Sequence, residues 1–131
     1  MIVDGTNAVL GRLASMVAKK LLMGEHVVII NVGKIVSSGD TARVHKRYFE
    51  KASRGSPQHG PFFSKKPAML VRRTIRGMLP YKQEKGASAF KRLRVFEDAP
   101  SEYKGAVKIS KTSDDLSCKY MTLEDLCKRL G

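Results

Sequence analysis

Val27-Val28-Ile29-Ile30-Asn31-Val32 is a run of β-branched residues broken only by Asn31. A strand with one wet face alternates apolar and polar residues. This run does not, so it reads as a strand buried on both faces of a parallel sheet. Parallel neighbours need a crossover between them, and the preceding residues supply one. Ile2-Val3-Asp4 is a short apolar run closed by turn chemistry at Gly5-Thr6-Asn7. Leu10, Leu13, Ala14, Val17 and Leu21 then recur along a stripe about 100° wide, and Gly24 stands where a C′ glycine ends a helix. Strand, helix and strand form a βαβ unit with the usual right-handed crossover. The expected fold class is α/β: a three-layer sandwich with a small, mostly parallel sheet, a mixed sheet also being allowed, and helices on both faces. At 131 residues the chain is expected to form a single domain over residues 1–131.

Ser37-Ser38-Gly39-Asp40 offers helix caps, and a helix from Thr41 to about Ala52 would turn Val44, Tyr48 and Ala52 inward, with Arg43, Lys46, Arg47 and Lys51 on its other side. Residues 53–66 hold two prolines, two glycines and several cations, which reads as a long basic loop. Pro67 suits a first helical position, and Gly77 followed by Pro80 gives a stop, so a helix is expected over Pro67–Gly77. Ala68, Val71, Ile75 and Met78 share one arc of it, and Arg72, Arg73 and Arg76 another, with Met69 falling on the basic side. Tyr81 to Gly86 reads as a turn, Ala87 to Arg92 as a short helix and Leu93 to Phe96 as a strand. Residues 97–119 look loosely structured, with a marginal strand at Val107-Lys108-Ile109. Thr122-Leu123-Glu124-Asp125 resembles a capping box that opens a last helix, whose inward face joins Cys127 to Leu123, Leu126 and Leu130. With two cysteines, Cys118 and Cys127, a packed free thiol is favoured over a disulfide or a metal pair.

The charge is large and uneven. Residues 1–40 carry four Lys/Arg against three Asp/Glu, residues 41–94 fifteen against two, and residues 95–131 six against seven. The middle segment thus accounts for the net +13. A one-sign field of that size repels itself unless a polyanion neutralises it, which points to nucleic acid. A membrane surface fits less well. There is no Trp, no basic helix with a broad apolar face, and no apolar run near the roughly 20 residues that span a bilayer. The start of the chain reads as a strand and not as a signal peptide, so the protein is expected to stay inside the cell. Arginine's planar fork suits phosphate, and a helix bearing three arginines and no acid is the focus of the basic face. The RNA-binding candidates read from this pattern are Arg12 at the edge of the first helix, Arg43, Lys46 and Arg47 on the second, and Arg54, His59, Lys65 and Lys66 in the loop. Arg72, Arg73 and Arg76 on the focal helix, with Lys91, Arg92 and Arg94 beyond it, complete them. Phe62 and Phe63 could stack on unpaired bases from that loop, though anchoring it to the core is at least as good a reading.

Catalytic chemistry finds no candidates. Five residues separate Gly5 from Gly11 where a P-loop has four, and Arg12-Leu13 follow where it needs Lys-Ser/Thr. The dinucleotide fingerprint fails too, and Gly11 reads instead as a glycine for close helix–sheet packing. His26, His45 and His59 are scattered, and no Ser/His/Asp or paired-carboxylate grouping stands out. No cofactor, metal or small-molecule substrate is expected.

Several strings resemble a known family: Leu10-Gly11-Arg12-Leu13-Ala14-Ser15 after Val3-Asp4, Ile30-Asn31-Val32 with Ser38-Gly39, and Arg76-Gly77-Met78-Leu79-Pro80 with Lys82. Gly60-Pro61 before Pro67, Gly86-Ala87 and Arg92-Leu93-Arg94-Val95-Phe96 add to the likeness, as does Tyr120-Met121-Thr122-Leu123-Glu124 with Leu130-Gly131. They resemble the universal large-subunit ribosomal protein L13 family, in its archaeal branch, over residues 2–103 and 119–131. Two residues depart from the family pattern: Tyr81 stands where a small polar residue or histidine is expected, and Glu84 puts an acid into a basic turn. The resemblance implies an α/β sandwich that binds large-subunit ribosomal RNA, lies among neighbouring large-subunit proteins, helps early subunit assembly in the cytoplasm and catalyses nothing. It implies RNA-backbone contacts for Arg76, Lys82, Lys85, Arg92, Lys65 and Lys66, with Gly77 and Pro80 shaping the turn that presents them. Two other readings are a free RNA-binding regulator, for example of mRNA translation, using the same face, and a small nucleotide-dependent enzyme built on the βαβ unit.

Overall fold

The computed structural model describes residues 1–53, 66–98, 107–108 and 120–130. Strand β1 (Ile2–Asp4), helix α1 (Leu10–Leu22) and strand β2 (Val27–Ile30) form the βαβ unit, with β1 and β2 parallel and Ile2 opposite Val28. All five stripe residues of α1 are buried, Leu13, Ala14, Val17 and Leu21 completely. The helix ends in a Schellman motif: Gly24 N–H bonds Leu21 O at 3.1 Å, Glu25 N–H bonds Lys20 O at 3.2 Å, and Gly24 takes φ +94°. The second strand is shorter than its sequence suggests. Asn31 adopts φ 56° and donates through Nδ2 to Asp4 Oδ1 at 3.1 Å, so the chain leaves the sheet there and enters a 3-10 turn at Val32–Lys34. Asparagine tolerates that left-handed conformation, which an apolar-run argument does not weigh.

Strand β3 (Val36–Ser38) follows, so Ser37 and Ser38 are strand residues and not caps. Asp40 caps helix α2 (Thr41–Ser53), accepting the Ala42 N–H at 3.1 Å. Val44 is buried in α2 and Tyr48 half-buried, as expected. Helix α3 (Pro67–Gly77) has the expected bounds, but its inward set differs: Leu70, Val71 and Ile75 are buried, whereas Met78 is 44% exposed. Met78 is already the C-cap, so the helical period no longer governs it, and Leu79 turns into the core in its place.

Helix α4 (Glu84–Lys91) starts three residues before the expected Ala87, and strand β4 (Leu93–Val95) follows. Glu84 is its first residue, where a carboxylate is favoured by the helix dipole. Strand β5 (Val107–Lys108) realises part of the expected marginal strand, while Ile109 lies outside the described residues. The sheet is parallel throughout, in the order β4-β2-β1-β5. Strand β6 (Tyr120–Thr122), which the sequence reading did not anticipate, pairs antiparallel with β3 in a second, two-stranded sheet. Thr122 Oγ1 then accepts the Asp125 N–H at 3.3 Å to open helix α5 (Leu123–Leu130), half of the expected capping box. One hydrophobic core runs through α1, β2, α3, β4 and α5, an α/β sandwich of the expected class. Gly11 contradicts its packing assignment, since it is exposed and an added Cβ would meet nothing within 4 Å.

Candidate nucleic-acid interface

Helices α2 and α3 come from separate basic stretches, and tertiary packing brings them together. Tyr48 and Lys51 of α2 and Leu70, Arg73 and Thr74 of α3 line a cleft of ≈300 Å³. Lys51 Nζ lies 5.3 Å from the centroid of the Tyr48 ring, within cation–π range. Burial raises the Tyr48 pKa, the Arg47 charge opposing that and Cys127 adding to it, so its hydroxyl stays neutral at ordinary pH. The cleft therefore brings an ammonium, a guanidinium and a phenol together, groups that suit phosphate oxygens, while the Thr74 hydroxyl donates to Leu70 O at 2.9 Å within α3. A second cleft of ≈230 Å³, lined by Asn31, Lys34, Glu97, Asp98 and Glu124 among others, has the opposite balance of charge and suits no polyanion.

Arg43, Lys46 and Arg47 are exposed along α2 and make no ion pair among the described residues. The same holds for Lys82 in the turn after α3, for Lys85 and Lys91 on α4, and for Arg94 on β4. Arg73 is exposed, and Lys66, also exposed, is the N-cap residue of α3. Arg12 is exposed in the first turn of α1. Arg54, His59 and Lys65, with Phe62 and Phe63, lie outside the described residues.

Arg72, Arg92 and Arg76 make contacts within the protein. Arg72 Nη1 donates to Leu93 O at 3.3 Å, and its guanidinium lies 4.6 Å from the centroid of Phe90. Burial, and secondarily the charge of Arg94, lowers its pKa, yet a guanidinium remains charged at neutral pH. Arg92, the C-cap of α4, donates from Nη2 to Leu21 O at 2.7 Å, and its buried Nε has no hydrogen-bond partner among the described residues. Those bonds tie β4 to α3 and the end of α4 to α1. Arg76, half-buried, rests 5.0 Å from the centroid of the Tyr81 ring, within cation–π range.

The turn after α3 is shaped by Gly86, which the sequence reading placed at the end of that turn while giving the shaping role to Gly77 and Pro80. Tyr81 N–H bonds Leu79 O at 2.8 Å across Pro80, and Gln83 N–H bonds Pro80 O at 2.9 Å. Gly86, buried inside α4, lies so close to Pro80 that a Cβ there would overlap its carbonyl. Gly77 has open space around it and no positive φ. Lys51 and Tyr48 were not among the sequence candidates, because what singles them out is a juxtaposition across helices. Cys127 is half-buried and packs against the core, and burial, with Glu97 adding to it, pushes its thiol pKa up to about 11. Among the described residues no three His, Cys, Asp or Glu side chains group as metal ligands, and no helix is long and apolar enough to cross a membrane.

A family model described as ribosomal protein L13 matches residues 1–102. The chain is 41% identical over 140 residues to the large ribosomal subunit protein uL13 of Archaeoglobus fulgidus, covering 99% of this chain and 86% of that one. The chain belongs to the ribosomal protein L13 family. Its similarity to the uL13 proteins of Methanosarcina barkeri and Methanocaldococcus jannaschii is 42% identity in each case, over 99% of this chain and 96% of theirs. The likeness thus continues past the family model to the C-terminal α5 region, as the Tyr120–Glu124 string implied. What the chain belongs to is a ribosomal-protein family and not an enzyme family, so the nucleotide-dependent enzyme reading of the βαβ unit falls.

Proposed function

We propose that this protein is a structural constituent of the large ribosomal subunit that binds large-subunit rRNA through the basic face of residues 41–94 and supports early subunit assembly in the cytoplasm. The observation that carries the reading is the α2/α3 cleft of ≈300 Å³, which Lys51 and Arg73 line from two elements. Exposed cations without carboxylate partners among the described residues also stand on α2, α4 and β4. Their donors suit backbone phosphates and the shape of folded RNA more than base identity. Arg43, Lys46, Arg47, Arg73, Lys82, Lys85, Lys91 and Arg94 are the contacts expected first. Lys66, Arg12 and the loop cations Arg54, His59 and Lys65 extend the face, while Arg72, Arg76 and Arg92 contribute from positions the fold already restrains. Neighbouring large-subunit proteins would complete its surroundings.

Sedimentation of a native-source lysate through sucrose at low and at high salt, with this protein followed by mass spectrometry, tests the assignment. Retention with large subunits at high salt is expected. Recovery only in light fractions would replace it with a free RNA-binding regulator.

A further inference from the structure

We propose that the paired rings of His45 and Phe49 on α2 form a stacking ledge for an unpaired RNA base, a contact distinct from the phosphate contacts and resting on the RNA-binding reading above. The two residues are four apart on one helix and so share a face. Their ring centroids lie 5.9 Å apart with an interplanar angle of 26°, a stacked arrangement. Stacking restrains the Phe49 side chain while leaving it 53% exposed, in a chain whose aromatic content is only 7%. A phenylalanine left this open within the chain's basic segment is a surface waiting for a flat apolar partner.

The surroundings select which partner. Lys46 lies three residues before Phe49 on the same side of α2, and Arg43 and Arg47 are exposed on that helix, against the single acid Glu50. The exposed residues adjacent in the helical rows, Ala42, Lys46 and Ser53, do not extend the ring into a broad apolar patch of the kind a protein partner's core would need. A nucleotide supplies both chemistries: its phosphates meet the cations and its base meets the ring. The base must be unpaired, because within an RNA duplex both faces are occupied by stacking neighbours.

Binding of the full chain to a single-stranded oligoadenylate of about twelve nucleotides, and to an RNA duplex of comparable phosphate number, tests the ledge by fluorescence anisotropy. Phe49→Leu keeps apolar bulk and removes the flat face. It should weaken single-strand binding roughly 5- to 150-fold, the span expected for one lost base–aromatic stack, while leaving duplex affinity and the salt slope of both RNAs unchanged. Phe49→Trp should restore or tighten single-strand binding. Because the side chain is exposed, the thermal midpoint of both variants should match that of the unaltered protein, which excludes misfolding as the cause. An equal loss on duplex, or single-strand binding unchanged by Phe49→Leu, overturns the ledge and would assign the ring to a protein neighbour or to no partner. Failure of the unaltered chain to bind either RNA would overturn the RNA-binding reading as well. Salt-sensitive binding of both RNAs with an inert Phe49→Leu removes the ledge alone.

Discussion

Gly86 and Gly77 flank the same turn and have opposite physical roles. At Gly86 an added methyl would overlap the carbonyl of Pro80, a backbone atom that cannot swing aside. Gly86→Ala should therefore cost about 2 kcal/mol or more, in the range of overpacked cores, and displace the turn that carries Lys82. At Gly77 the surrounding space is open and φ is not positive, so Gly77→Ala should be neutral or add up to about 1 kcal/mol through helix propensity. Urea denaturation of the free protein measures both. Equal effects would remove the distinction. Glycine content alone could not separate these two positions, because each stands beside a helix boundary in a Gly/Pro-punctuated stretch. What tells them apart is the approach of the Pro80 carbonyl, a contact that exists only once α4 has docked.

Helix α3 and the C-cap of α4 carry arginines of two kinds, and helix-wheel reasoning sees only one. Arg72, on the outward arc by spacing, reaches back to Leu93 O, and Arg92 reaches Leu21 O, so both act as clamps between elements. Arg92→Ala should lower stability by roughly 1–3 kcal/mol, since the charge-assisted bond that ties the end of α4 to α1 is lost, although Leu21 O keeps the Gly24 N–H. Lys51→Ala with Arg73→Ala should behave in the opposite way. Stability should change little, because both side chains are exposed, whereas the slope of log affinity against log salt for free RNA should flatten by roughly 1.5, the equivalent of two phosphates. Thermal melts and salt titrations read the two outcomes separately, and an unchanged slope would take the α2/α3 cleft out of the binding face. Arginine spacing locates a basic element. Whether a given guanidinium faces RNA or a neighbouring carbonyl depends on what packs beside it.

For the whole molecule, a net charge of +13 concentrated within residues 41–94 is a standing self-repulsion. Screening should relieve it, so the thermal midpoint of the free protein should rise as ionic strength increases toward 0.1 M, where the Debye length is about 10 Å. RNA should raise it further by binding the native state alone. A midpoint that falls with salt would mean that attractive pairs dominate the free protein. Sequence alone was enough for the βαβ opening, the helix spans of α2 and α3, the α/β class and the concentration of positive charge in residues 41–94. These follow from periodicities and local charge density, which a chain carries whether folded or not. Only the tertiary structure decided that Ser37 and Ser38 form a strand, since their partner in β6 lies more than eighty residues away in sequence. It likewise decided that Asn31 ends β2 by bonding Asp4, that Lys51 and Arg73 share a cleft, and that Arg72 and Arg92 are clamps. Each of these is a contact between residues distant in sequence, and local spacing carries no information about which remote group will be brought within reach.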